Sequence, residues 1–177
     1  MNIRYTKRGF TLLETLIVLM LLSVLVGVSG LLFVVSLRAW DAGLIRGGIR
    51  EDVSYAMEKV VRDLREMANA SLGQYSFIAH TIQYDDSSGT TYVFYLYNVD
   101  DSSFDSTYSE SFYDLRKATK SQLDAGNYAA GLLILRDLVT PPATALTISG
   151  NQVTLDFVVQ RSDEIVRTRT KIRPRNL

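Results

Sequence analysis

The chain has 177 residues, and its 19 lysines and arginines balance its 19 aspartates and glutamates, so the formal net charge is zero. This balance argues against nucleic acid as the main partner, because nucleic-acid-binding domains are usually basic overall. There is no cysteine, which excludes disulfides, thiolate nucleophiles and zinc–thiolate sites. After the apolar N-terminal segment, enough chain remains for one domain.

The apolar segment covers residues 10–37 and contains one charged residue, Glu14. It is longer than the roughly 20 residues that span a bilayer core of about 30 Å. No small-residue cleavage site of the secretory type follows it, so we predict a retained membrane anchor. A carboxylate near the centre of a membrane helix costs roughly 2.5–3.5 kcal/mol. Glu14, which lies near the start of the segment, therefore needs an explanation.

The charges that flank the apolar segment leave its orientation open. Similar numbers of cations precede and follow it, so the positive-inside rule gives nearly equal counts. Those before it are Arg4, Lys7 and Arg8, and those after it are Arg38, Arg46 and Arg50. The preceding cations are packed more closely, which favours a cytoplasmic N-terminus.

Residues 38–72 have an amphipathic pattern in place of the uniformly apolar one before them. Apolar residues recur at spacings near three and four between Trp40 and Ala68, with charged residues among them. This spacing predicts an amphipathic helix. No proline occurs before Pro141, so we predict one helix from about residue 10 to about residue 71. Its first half, 10–37, would lie in the membrane, and its second half, 38–72, would need a partner surface for its apolar stripe.

The remainder, residues 73–177, predicts an antiparallel sheet domain. Runs of β-branched and aromatic residues bounded by turn residues indicate strands, at 75–84, 90–99, 131–139, 144–160 (two strands) and 164–172. A polar stretch between them predicts a short helix over 112–124, with Ser111 as its N-cap. One long helix followed by antiparallel strands is an α+β fold.

The stretch KRGFTLLE, residues 7–14, resembles the processing site of type IV prepilins and type II secretion pseudopilins. In that family a short basic leader ends in glycine, the mature chain begins with phenylalanine, and glutamate is the fifth mature residue of an apolar helix. The residues that carry the resemblance are Lys7, Arg8, Gly9, Phe10 and Glu14. The fold it implies is pilin-like, with a long N-terminal helix whose second half packs on an antiparallel sheet.

The resemblance implies that a prepilin peptidase cuts between Gly9 and Phe10 on the cytoplasmic side, removes the leader 1–9, and that Phe10 becomes N-methylated. Lys7 and Arg8 would hold the site at the cytoplasmic headgroups. Glu14 would meet the N-terminal amine of a neighbouring subunit during assembly, so that two poorly solvated opposite charges compensate each other. The orientation follows: a single pass in the cytoplasmic (inner) membrane, with the N-terminus cytoplasmic and the C-terminal domain outside.

The function implied is structural, not enzymatic, and needs no cofactor. The partners would be other pilin or pseudopilin subunits, the prepilin peptidase and the assembly platform in the cytoplasmic membrane. The strand pattern and the ending RTKIRPRNL are most similar to minor subunits of the J or W type, placed at or near the tip of a type IV pilus or a type II secretion pseudopilus. Many major type IVa pilins have a cysteine pair and a proline in the membrane segment, and this chain has neither.

A binding function at a pilus tip is the alternative. Cations of the C-terminal strand would contact DNA or another surface, with strongly salt-dependent affinity. The same cations would also serve simply to keep an edge strand from pairing with other chains. They are Arg167, Arg169, Lys171, Arg173 and Arg175.

Metal binding and catalysis have little support in the sequence. An acidic loop with Asp100, Asp101 and Asp105 would be a calcium site, but no register supplies both the glycine and the glutamate of an EF-hand. The single histidine, His80, falls in a predicted strand and is expected to be packed or half exposed. A membrane-anchored enzyme, the third hypothesis, has no nucleophile, phosphate-binding or metalloprotease motif behind it.

Overall fold

A computed structural model describes residues 11–67, 72–98, 104, 108–141 and 143–174. They group into two compact units, one up to Leu44 and one from Ile45 onwards. A single helix, α1 (Leu12–Arg65), contributes to each unit. The predicted continuous helix is thereby confirmed over this range.

The second unit is built on a seven-stranded antiparallel sheet. Its strands run in the order β1-β2-β3-β4-β6, and β5 and β7 both pair with β6. Residues 153–156 of β6 pair with β5 and also with β7, so these two strands lie on opposite sides of β6. The elements are β1 (Ile82–Asp85), β2 (Thr91–Tyr97), β3 (Phe112–Thr119), α2 (Lys120–Asp124), β4 (Leu132–Val139), β5 (Ala145–Ser149), β6 (Gln152–Arg161) and β7 (Glu164–Ile172). The predicted α+β fold is correct.

The first part of α1 has apolar side chains on all sides, and they are exposed. This part is long and apolar enough to cross a membrane, and none of that stretch is buried. An isolated helix of this composition is compatible with a lipid surround but not with water, since exposed apolar area is unfavourable there. The finding supports the predicted membrane anchor.

The second part of α1 covers one face of the sheet. Its fully or nearly buried residues recur every three or four positions, as the amphipathic pattern predicts; they are Ile49, Val53, Ala56, Met57, Val60 and Leu64. They share a core with sheet residues such as Phe94, Leu115 and Phe157. Burying one such large apolar side chain contributes roughly 1.5–3 kcal/mol, so this stripe holds the helix on the sheet.

The opposite face of β2 and β3 is covered by a smaller cluster. Tyr95 and Tyr97 of β2 pack there with Ala118 of β3, Leu123 of α2 and Tyr75. Because alternate residues of a strand point to opposite faces, a strand covered on both sides is apolar throughout. This explains why aromatic and aliphatic residues follow one another without a break from Tyr92 to Tyr97 in β2.

Two predictions are wrong in this part of the chain. Residues 112–124 form strand β3 followed by a five-residue helix rather than one helix, and the N-cap is Thr119 rather than Ser111. Residues 75–84 are not one strand, because only Ile82–Asp85 pair in the sheet. Before them, Ser76, Phe77 and His80 have positive φ, which breaks an extended chain.

The strands after Gly131 agree with the prediction. β4 and β5 lie within the predicted runs, β6 extends one residue beyond its run, and β7 has the predicted bounds. Along β7 the residues alternate between exposed and partly buried, with Val166 and Thr168 turned inward and Arg167 and Arg169 outward. The alternation in the sequence therefore corresponds to a strand with one exposed face and one partly buried face.

Candidate functional site

Glu14 lies in the first turn of α1, where it forms a capping box with Thr11. Its Oε2 accepts hydrogen bonds from the Thr11 backbone N at 2.9 Å and from Thr11 Oγ1 at 3.0 Å. In return, the Glu14 backbone N donates to Thr11 Oγ1 at 3.3 Å. A capping box satisfies donors that the first helical turn leaves unpaired. Glu14 therefore has a local partner within its own chain.

This local role could be read from the sequence, where threonine and glutamate stand three residues apart before an apolar run. We did not predict it. Both described hydrogen bonds from Thr11 use Oε2, so Oε1 of Glu14 has no partner among the described residues. The carboxylate can thus cap its own helix and still accept a further donor.

Hydroxyl groups further along the apolar segment are also satisfied locally. Thr15 Oγ1 donates to the Leu12 carbonyl at 2.8 Å, and Ser23 Oγ donates to the Met20 carbonyl at 2.8 Å. Polar groups in hydrocarbon need an internal partner. These side chains therefore add little cost to a membrane position.

Several predicted site residues lie outside the described part of the chain. They are Lys7, Arg8, Gly9 and Phe10 at the processing site, Asp100, Asp101 and Asp105 of the acidic loop, and Arg175. Within residues 11–67, 72–98, 104, 108–141 and 143–174, no group of three or more acidic or histidine side chains is arranged to hold a metal ion. The calcium alternative therefore stays a prediction about residues beyond this range.

The predicted basic residues come together along one face of β7. Arg167, Arg169 and Lys171 are exposed and alternate with inward residues, and Arg173 follows the strand. β7 pairs with β6 and with no other described strand, so it is an edge strand, as predicted. Charged side chains on an edge strand oppose its pairing with identical edges.

A buried carboxylate beneath this row was not predicted. Asp156 of β6 is 6% exposed and accepts hydrogen bonds from Arg167 Nε at 2.9 Å and Nη2 at 2.6 Å. This contact raises the pKa of the Arg167 guanidinium. Arg169 Nε lies 3.9 Å from the same carboxylate. Part of the positive charge of β7 is therefore neutralised from within the sheet.

His80 lies in a turn instead of a strand. Its ring stands nearly perpendicular to that of Tyr108, with centroids 5.3 Å apart. Its Nδ1 is buried and has no hydrogen-bond partner among the residues described, and burial lowers its pKa. This is the half-buried, packed histidine that we expected.

One family model matches the chain, over residues 4–30, and describes the prokaryotic N-terminal methylation motif. No curated protein and no solved structure gives a significant match. The matched residues include the predicted processing site and the first part of α1. The motif belongs to structural, pilin-type proteins that assemble with other pilin subunits. The match, the long apolar helix and the sheet that follows it make this chain similar to type IV pilin-like proteins, which are processed at the N-terminus. The apolar helix is also of the kind that anchors such proteins in a membrane.

Proposed function

We propose that this protein is a minor pilin or pseudopilin of the J or W type, incorporated at or near the tip of a type IV pilus or a type II secretion pseudopilus. Its precursor would lie in the cytoplasmic membrane with the leader inside and the sheet domain outside. Prepilin peptidase would cut between Gly9 and Phe10, and the new N-terminus would be methylated. The observation that carries the proposal is the methylation motif at residues 4–30 leading into an exposed apolar helix.

Glu14 would serve as the assembly contact. Cleavage before Phe10 creates an ammonium group beside the apolar phase, and each subunit would place its Glu14 carboxylate near that group of a neighbour. The Oε1 atom, which has no partner among the residues that the structure describes, supports this, because it can accept a donor without breaking the capping box at Thr11. Opposite charges that are poorly solvated attract strongly when paired. The pair would also set the axial register between subunits.

The experiment compares two substitutions at this position in the native host. Glu14→Gln keeps an oxygen that can cap Thr11 but removes the charge, whereas Glu14→Ala removes both. Both variants should insert in the membrane, and both should be depleted from filaments recovered by shearing, since neither carries the anion. If Glu14→Gln enters filaments as well as the wild type, the charge-pairing role is refuted.

Binding of DNA or a surface at the tip is the second candidate, favoured by the exposed cations of β7. Full-length protein in detergent should then bind duplex DNA with an affinity that falls steeply with salt. Replacing Lys171 and Arg173 by alanine should reduce the salt slope by about 2, one for each lost phosphate contact. Binding without salt dependence, or none at all, removes this candidate.

A further inference from the structure

The outer edge of β7 is an open hydrogen-bonding template. A two-residue turn joins the paired residues Arg161 and Glu164, so these two exchange the hydrogen bonds nearest the turn. Alternate residues of β7 therefore bond to β6, and those between them direct N–H and C=O groups away from the sheet. The outward set is Ile165, Arg167, Arg169 and Lys171. No described strand pairs with this edge.

A groove runs beside the edge, between β7 and the second part of α1. It consists of two adjoining cavities of about 650 and 510 Å³, both lined by Ser54 and Thr168. Met57 and Val61 of α1 line the first, and Val166 of β7 lines the second. We call this the α1–β7 groove. Its floor is apolar at these three side chains, so a strand added to β7 would find apolar contacts on its inward face.

The groove and the edge of β7 carry a modest net positive charge. Five arginines and two glutamates line the two cavities. The acids nearest β7 are already neutralised, since Arg46 Nε donates to Glu164 and Arg167 holds Asp156. Lys171 and Arg173 make no ion pair within the described residues. The edge therefore has cationic side chains available to an added strand.

We propose that the edge of β7 binds an extended segment of a partner polypeptide in which apolar and acidic residues alternate, so that the segment becomes an additional strand of the sheet. Its backbone would pair with the outward groups of Ile165, Arg167, Arg169 and Lys171. Its inward side chains would lie over Met57 and Val61 in the α1–β7 groove. Its outward side chains, aspartate or glutamate, would lie beside the cations of β7.

The same charges exclude the simplest competitor, a second copy of β7. Two such edges would place cations beside cations, which is destabilising. The cations of β7 repel a second copy of this strand and attract an acidic one, so the edge selects between partner strands. A nucleic-acid backbone would use the cations but neither the apolar floor nor the open N–H and C=O groups, so the polypeptide fits more of the surface.

This inference deepens the proposed function by naming the kind of segment that a neighbouring subunit would offer, and it rests on that function only for the identity of the partner. Processing at Gly9 and pairing at Glu14 are tested separately. Failure of the edge experiment would leave those results untouched. Failure of processing would leave a measurable peptide-binding edge.

The test uses the full-length chain in detergent micelles and fluorescence anisotropy of labelled ten-residue peptides. One peptide alternates valine and glutamate, a second alternates valine and lysine, and a third has the first composition in two blocks. The alternating valine–glutamate peptide should bind at least roughly tenfold more tightly than either control, a difference of about 1.4 kcal/mol. Equal binding of the alternating and block peptides would overturn strand addition. If duplex DNA displaces the peptide when phosphate and carboxylate groups are at equal concentration, the surface binds nucleic acid rather than a polypeptide, and the proposal is overturned.

Two substitutions at Arg169 distinguish the contribution of backbone hydrogen bonding from that of the side-chain charge. Arg169→Ala removes the cation and keeps the outward N–H, whereas Arg169→Pro removes both and is tolerated on an edge because that N–H does not bond to β6. Binding should weaken a few-fold in Arg169→Ala and at least another roughly tenfold in Arg169→Pro. Equal binding by the two would contradict backbone pairing.

A charge-exchanged variant keeps the proposal testable if the proline variant misfolds. Arg169→Glu combined with Lys171→Glu leaves the backbone and groove unchanged. It should lose the valine–glutamate peptide and gain the valine–lysine peptide. An unchanged preference would overturn the charge-selective part of the proposal.

Discussion

Lys117 of β3 donates a hydrogen bond to the Asp63 carboxylate of α1 over 2.8 Å, and this ion pair joins the helix to the sheet. The two side chains are only 19% and 16% exposed. The Lys117 ammonium also lies 4.2 Å from the centre of the Tyr92 ring. Tyr84 contributes a long hydrogen bond to Asp63 at 3.5 Å. A charged pair is thus placed at the margin of an otherwise apolar helix–sheet contact.

We predict that Asp63→Ala lowers the free energy of unfolding by about 1.5–3 kcal/mol, because it removes a charged hydrogen bond and leaves a poorly solvated ammonium. The double variant Asp63→Ala, Lys117→Met should be less destabilised than the sum of the single changes. Tyr84→Phe, which removes only the long hydrogen bond, is the control and should change stability little. Chemical unfolding of the wild type, the two single variants, the double variant and Tyr84→Phe measures this, and additive effects of the two substitutions would contradict the coupling.

This ion pair also shows where sequence reasoning ends. Asp63 and Lys117 are 54 positions apart, and no local pattern relates them. The pair between Asp156 and Arg167 depends likewise on the register of β6 with β7. Long-range polar contacts follow from tertiary geometry, which periodicity does not contain.

The sequence predicted secondary structure correctly where apolar residues recur with a single period, either that of a strand or that of a helix. β7 alternates strictly, so its bounds and its outward cations could be predicted. The three-to-four spacing in α1 identified the buried stripe from Ile49 to Leu64, but the earlier residues of the predicted stripe, Trp40 and Leu44, are exposed. Residues 112–124 have a helix-like composition, but Tyr113 and Leu115 alternate into the core beneath α1. Tertiary packing therefore overrode local propensity there. The capping box of Thr11 and Glu14 depends only on their three-residue spacing, which is a local pattern of the same kind.

Gly131 leaves room for the hydroxyl of Tyr95. A Cβ at position 131 would lie 2.2 Å from Tyr95 Oη, which itself donates to the Tyr128 carbonyl at 2.5 Å. We predict that Gly131→Ala destabilises the fold by about 1–3 kcal/mol through overpacking. Tyr95→Phe should rescue much of this loss, because it removes the clashing atom.

Thermal unfolding of Gly131→Ala with and without Tyr95→Phe provides the measurement. Gly73→Ala is the matched control, since a Cβ there meets nothing within 4 Å. The explanation is wrong if Tyr95→Phe adds its own destabilisation to that of Gly131→Ala instead of relieving it.

The short helix α2 depends on its capping box. Thr119 Oγ1 accepts from the Gln122 backbone N at 3.3 Å, and the Gln122 side chain accepts from the Thr119 backbone N at 2.9 Å. Thr119→Ala should cost about 1 kcal/mol, and Thr119→Ser, which keeps the hydroxyl, should cost much less. Chemical unfolding measures the free energy of unfolding of both variants. Equal losses of stability would show that the methyl group of Thr119 matters rather than its capping hydroxyl.

His80 should make the fold less stable in mild acid. Burial lowers its folded-state pKa, so the unfolded chain binds the proton more readily. The stability that neutral His80 contributes is fully present above the ordinary histidine pKa of about 6.5. It is lost as the pH falls from there through the lowered pKa of His80 in the folded state. His80→Asn, whose side chain tolerates a positive φ, should lose less stability between pH 7.5 and 5. The carboxylates titrate in both proteins, so parallel unfolding curves would contradict the role of His80.

Processing at Gly9 followed by methylation can be measured by intact-mass and N-terminal peptide mass spectrometry of the protein from its native host. We expect a mature chain that begins at Phe10 and carries one methyl group on its amine, and a Gly9→Ala variant that retains residues 1–9. An unmodified chain that still contains its leader in wild-type cells would contradict this expectation.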